Sequence, residues 1–120
     1  MDQLQQEIAT WLRILRFIQA ETVCLKNRMA AIVSTNPDRN ILIQLEDYQN
    51  HFVQEDEVLA LLHQDIKVQH NNIHEFDPDR PYKWDILLEN QERLRQKLEK
   101  TEQGFNLLQS NFNRFLLEAL

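Results

Sequence analysis

The sequence contains very little glycine and proline, the residues that allow tight turns and irregular backbone. One glycine and three prolines occur in 120 residues, whereas 42% of the residues are hydrophobic. A sandwich, a barrel or a glycine-looped nucleotide fold needs many more turn residues than this. The composition therefore excludes these fold classes, but it leaves enough apolar material for a core.

Cysteine and long apolar runs are also scarce. Cys24 is the only cysteine, so the chain forms neither an internal disulfide nor a thiolate metal cluster, which is typical of a reducing compartment. No apolar run approaches the roughly 20 residues that span a bilayer, and Met1–Gln3 is unlike the start of a signal peptide. We therefore expect a cytoplasmic protein with no membrane association.

Positive charge is in deficit as well. The chain has 13 lysine and arginine residues against 19 aspartate and glutamate residues, which gives a net charge of -6. A surface of this sign repels phosphate groups. We therefore expect neither nucleic acid nor an anionic membrane as a partner.

Helix-breaking residues concentrate at two places, 34–38 and 77–81, which separate three long segments. In the first break, Asn36 is a candidate N-cap followed by a proline at the first helical position. In the second break, Asp77 and Arg80 are alternative caps, and the sequence leaves that choice open. We predict helices over about 3–34, 37–75 and 80–119, in a single domain of residues 1–120.

Apolar residues recur at alternating spacings of four and three in all three segments. Sustained heptad spacing of this kind predicts helices that pack as in a coiled coil, crossing at about 20°. Short connections make consecutive helices antiparallel. The predicted fold class is therefore all-α: an antiparallel up-down-up three-helix bundle with long coiled-coil-like helices.

Polar residues interrupt this apolar seam at Thr22, Glu55, Gln69, Gln91 and Thr101. The centres of the two turns indicate which residues lie level on neighbouring helices. On this estimate a polar layer at mid-bundle contains Thr22, Glu55 and Thr101. The two glutamines form another layer near the second turn. Buried polar residues select the alignment in which they find partners, so we interpret both layers as setting the register. The alternative is that Glu55 has a raised pKa and serves a ligand site.

The histidines do not show a metal-binding motif. The Glu-x-x-His pairs of di-iron bundles are absent, although His70 and His74 stand four residues apart and share a helix face. Both lie off the seam, so we predict a solvated polar face with no metal and no cofactor. A metal site at these two histidines remains the alternative.

Apolar side chains near the C-terminus surround more of the third helix than one seam needs. A monomer that exposed them all would have an unusually large apolar patch. We therefore expect a homodimer or a complex with another protein. The candidate interface residues are Phe17, Phe112, Phe115, Leu116, Leu117 and Leu120.

Charge is unevenly distributed between the segments. Residues 37–76 carry two basic and eight acidic residues, and the third segment has a basic patch of Arg93, Arg95, Lys97 and Lys100. We interpret this charge as solvated, with some pairing between helices. The alternative is a surface that steers a partner.

These features predict a non-enzymatic helical-bundle module for protein-protein interaction, as an adaptor, a chaperone-like protein or a structural protein, with an unknown partner. In size and shape such a short acidic rod resembles some secretion and flagellar export chaperones. The alternative is a ligand-binding or metal-binding bundle that uses Glu55 or the His70/His74 face.

Overall fold

The computed structural model describes residues 2–119, which form three long helices: α1 (Asp2–Ser34), α2 (Arg39–His74) and α3 (Tyr82–Ala119). The helices pack side by side into a rod of 65 × 18 × 18 Å. Consecutive helices run antiparallel because the connections between them are short. The predicted all-α three-helix bundle is confirmed.

The first turn differs in detail from the prediction. Asp38, rather than Asn36, is the N-cap of α2, and its side chain accepts a hydrogen bond from the Ile41 amide at 3.0 Å. Asn36 has a left-handed backbone with φ of 57°, a conformation that commonly ends a helix. The proline between them is therefore outside α2, because Asn36 terminates α1 instead of starting the next helix.

Hydrogen bonds to Asp77 stabilise the second turn, which ends at Pro81, the second of its two prolines. The Asp77 side chain accepts a hydrogen bond from the Asp79 amide at 3.0 Å, and its carbonyl accepts one from the Arg80 amide at 3.0 Å. Pro81 directly precedes the helix, and its carbonyl accepts from the Trp84 amide. The hydrogen bonds of Asp77 therefore stabilise the turn itself, and α3 begins after Pro81, where a missing N–H costs nothing.

The heptad positions form one continuous core along the rod. Most of its side chains are almost fully buried, whereas those near the ends of the rod, together with Tyr48 and Leu108, are half-buried. The core carries two aromatic groups, one in which Tyr48 and Phe52 contact Phe112, and one in which Phe76 contacts Trp84. Aromatic pairs with this spacing stabilise a core beyond their buried area.

Three of the candidate interface residues lie in this core. Phe112, Phe115 and Leu116 are 0%, 9% and 6% exposed. The aromatic ring of Tyr48 on α2 lies 5.1 Å from the Phe112 ring and 5.3 Å from the Phe115 ring, so α2 already covers them. They are therefore unavailable to a partner. Leu120 lies outside the described residues.

Among residues 2–119, no helix combines the length and the hydropathy needed to cross a membrane.

Candidate functional site

The two core glutamines form a network that joins all three helices. Gln69 Nε2 donates to Gln91 Oε1 and to the Leu87 carbonyl, both at 3.0 Å. Gln91 Nε2 in turn donates to Glu7 Oε1 at 2.9 Å and to the Leu4 carbonyl at 3.3 Å. Both glutamines are almost fully buried. Their amide donors are satisfied, as buried polar groups require.

An ion pair between Glu7 and Arg95 closes this network on its outer side. Arg95 Nε and Nη2 donate to the two carboxylate oxygens of Glu7, each at 2.7 Å. These hydrogen bonds, opposed by partial burial and helped by Gln91, lower the pKa of Glu7. The bidentate geometry makes this a strong pair. It ties α1 to α3 near one end of the rod.

The threonines of the predicted mid-bundle layer do not hydrogen-bond to Glu55. Thr22 and Thr101 each donate to a carbonyl of their own helix, at Ile18 and Lys97, at 2.8 Å. Contacts between α1 and α3 join residues 88 apart, which sets Thr22 level with about residue 110. It is therefore about 13 Å along the axis from Thr101. The predicted layer of three residues does not form.

Glu55 is a half-buried carboxylate whose Oε1 atom is buried without a hydrogen-bond partner among the described residues. Burial raises the pKa of Glu55, and the neighbouring charge of Asp56 raises it further. Leaving a buried carboxylate oxygen unpaired costs free energy. Glu55 is therefore the one polar seam residue for which the chain itself supplies no partner in the part that the structure describes.

Glu55 lines an open groove between α2 and α3, here called the α2/α3 groove. It has a volume of about 450 Å³. At one end, the Tyr48 hydroxyl donates to the Asn111 carbonyl at 3.2 Å. The lining residues are Asp47, Tyr48, His51, Gln54, Glu55, Val58, Gly104, Leu107, Leu108 and Asn111.

Gly104 opens the α3 wall of the groove. A Cβ atom placed there would meet nothing within 4 Å, and the backbone of this residue is helical. Neither a turn nor a close contact among residues 2–119 explains a glycine, which costs about 1 kcal/mol relative to alanine inside a helix. The glycine therefore leaves the helix backbone accessible at the middle of the groove.

Exposed apolar side chains border the groove. Val58, Leu61 and Leu107 are 45%, 65% and 63% exposed. Val58 also lines a second hollow of about 320 Å³, which continues along the same face past Leu61 to Lys97 and Lys100. Lys97 pairs with Asp65 at 3.5 Å. The face thus combines an apolar centre with charges of both signs.

The predicted interface residues Phe17 and Leu117 lie elsewhere, on the α1/α3 side of the rod. Both are exposed, and they border separate hollows. Between them, α1 and α3 are joined by polar contacts of Glu21 with Gln109 and of Arg28 with Asn113, both at 3.0 Å. The two side chains therefore do not form one apolar patch.

The histidines lie on the surface and do not converge. His70 and His74 are exposed, as is His51, whose Nε2 lies 3.6 Å from Asp47. Within residues 2–119, no three His, Cys, Asp or Glu side chains are arranged to hold a metal ion.

The sequence pattern does not reveal the pairing of Glu7 with Arg95. Glu7 directly precedes the seam residue Ile8, and Arg95 directly follows the seam residue Leu94. Both positions therefore read as flanks of the seam, where a charged side chain is ordinarily solvated. The pairing depends on the axial offset between α1 and α3, which the spacing along either helix does not contain.

Comparison of the chain with protein-family models, with curated proteins and with solved structures gave no significant match.

Proposed function

We propose that this protein is a non-enzymatic interaction module, and that the α2/α3 groove is the surface through which it binds a protein partner. The observation that carries the proposal is the buried Oε1 atom of Glu55, unpaired within residues 2–119, in the wall of a groove with an apolar border. A partner that brings a basic side chain to the Glu55 carboxylate offsets the cost of burying its charge. The partner is a second copy of the chain or another protein.

The shape of the groove favours a helical protein surface as the occupant. The groove runs between two long antiparallel helices, and a helix laid into such a groove is a common mode of recognition. The exposed side chains of Val58, Leu61 and Leu107 supply the apolar contacts. Gly104 allows the partner to approach the α3 backbone closely.

A small cationic ligand is the second candidate, and the carboxylate of Glu55 favours it. An amine that entered the groove would pair with Glu55 and displace water from the apolar border. Calorimetry with simple alkylamines checks this alternative: saturable one-to-one binding that Glu55→Gln abolishes would support it.

Photo-crosslinking tests the proposed function. Leu107 is replaced by the photo-reactive p-benzoylphenylalanine, and Ile43, which is exposed on α2, is replaced in a matched control. After irradiation in a native lysate, we expect protein adducts, with this chain or with another, from position 107 and far fewer from position 43. Equal yields from both positions, or no adducts at position 107, would contradict the proposal.

A further inference from the structure

The register between α2 and α3 fixes which residues of the groove lie level with each other. The hydrogen bond between Gln69 and Gln91 defines it, and the hydrogen bond from Tyr48 to Asn111, farther along the two helices, agrees within one residue. Counted from the glutamine pair, Glu55 lies level with about residue 105 of α3, Val58 with about residue 102 and Leu61 with about residue 99.

Two complementary pairs on the face that the groove and the adjoining hollow share have one midpoint. Lys100 lies about 7 Å along the rod from the level of Glu55, and Leu107 lies about 12 Å from the level of Leu61, at 1.5 Å per residue. Both midpoints fall near residue 103 of α3. A two-fold axis perpendicular to the rod at this level places Lys100 of one copy against Glu55 of the other. The same axis places Leu61 of one copy against Leu107 of the other.

We infer that the partner is a second copy of this chain, packed antiparallel against the α2/α3 groove about a two-fold axis near Val58 and Gly104; this rests on the function proposed above. Lys100 of each copy then pairs with Glu55 of the other, and Leu61 contacts the partner's Leu107. A two-fold interface requires such a self-complementary surface.

The two charges needed for this exchange are unpaired within residues 2–119. In this part of the chain Glu55 Oε1 has no hydrogen-bond partner, and Lys100 forms no ion pair. Lys97, one turn away, is already paired with Asp65. Glu55 in the groove and Lys100 in the adjoining hollow are therefore the two charges that a second copy satisfies.

Gly104 lies where the two copies approach most closely. The axis passes at its level, and the open space beside it accepts the partner's Val58. A Cβ atom at position 104 meets nothing within 4 Å in the monomer, so a larger side chain there can extend into the groove, where it fills the space that the second copy needs.

Sedimentation velocity on purified protein tests the inference. We expect the wild-type chain to sediment at twice its 14.5 kDa mass in the micromolar range, and Gly104→Gln to weaken the dimer at least about tenfold. Circular dichroism verifies that the variant stays helical. A wild-type chain that remains monomeric at roughly 100 µM, a concentration at which even a weak dimer would form, would overturn the inference.

Charge reversal tests the pairing itself. Lys100→Glu and Glu55→Lys each place like charges together in the dimer, so each variant alone should be monomeric. Mixed together, the two variants should form a heterodimer, because each of its two charge pairs then joins a glutamate to a lysine. In the double variant Glu55→Lys/Lys100→Glu both pairs are restored within a homodimer, so the dimer should return. Arg16→Glu, which makes the same charge change as Lys100→Glu on exposed α1, should leave the wild-type dimer intact.

The outcomes separate this inference from the proposed function. If the purified chain is monomeric but still gives groove-specific adducts with another protein, the homodimer is contradicted and the interaction module is supported. If a dimer persists in both charge-reversal variants and in Gly104→Gln, the proposed two-fold arrangement is contradicted. If the chain is monomeric and gives no adducts, both the homodimer and the interaction module are contradicted.

Discussion

Glu7 and Glu55 are two partly buried glutamates with opposite surroundings. Glu7 receives two hydrogen bonds from Arg95 and one from Gln91, and its pKa is lowered. Glu55 has a buried oxygen without a partner in residues 2–119, and burial raises its pKa. The chain's own side chains therefore neutralise the carboxylate at one end of the bundle, whereas the carboxylate in the α2/α3 groove has no such partner among these residues.

The largest effect on stability is expected from breaking the hydrogen-bond network of the two core glutamines. Gln91→Leu removes the acceptor of Gln69 and a donor to Glu7, so we expect the free energy of unfolding to fall by about 1–3 kcal/mol. Urea denaturation measures it. A change below about 0.5 kcal/mol would show that the network contributes little.

Breaking the ion pair should have a smaller effect. Glu7→Gln keeps the size of the side chain but loses its charge, and Arg95 is 38% exposed, so solvent weakens the pair. We expect a loss of about 1 kcal/mol in urea denaturation. A gain in stability would mean that the pair costs more to desolvate than it returns.

Removing the Glu55 carboxylate should increase the free energy of unfolding instead of lowering it. Glu55→Leu eliminates the buried unpaired oxygen, so the monomer should stay folded and gain up to about 1 kcal/mol. Thermal melts at concentrations too low for association check this. A large loss of stability would show that Glu55 is paired within the chain.

The smallest change is expected from pH, because both carboxylates are partly solvated. The lowered pKa of Glu7 gives stability that is present above its ordinary value of 4.5 and is lost as the pH falls through the folded-state pKa. The raised pKa of Glu55 gives a cost at neutral pH that is relieved as the pH falls. In urea denaturation, wild type should therefore be more stable than Glu7→Gln and less stable than Glu55→Gln at pH 7, with both differences shrinking at acid pH. Differences that stay constant with pH would contradict both assignments.

Heptad spacing is sufficient to predict the three helices and their antiparallel bundle, because the periodicity of apolar residues records which face of a helix is buried. It does not give the axial offset between one helix and another. It therefore places Thr22 and Thr101 in one layer with Glu55, although the two threonines lie about 13 Å apart along the rod. It also does not show which neighbour covers an apolar side chain. Phe112, which the sequence offers as an interface residue, is covered within the bundle by Tyr48 and Phe52.

NMR titration of the side-chain carboxyl groups tests the central claim most directly. It compares the wild-type protein with a Leu61→Ser/Leu107→Ser variant, which loses the apolar contacts of the groove without a change in charge. Asp47, His51 and Asp56 also lie near Glu55, so their titrations are followed together. We predict a raised Glu55 pKa in the monomeric variant and a lower one in the wild-type dimer, where the partner's Lys100 pairs with it. An ordinary Glu55 pKa in the monomer, or the same pKa in both proteins, would contradict the account.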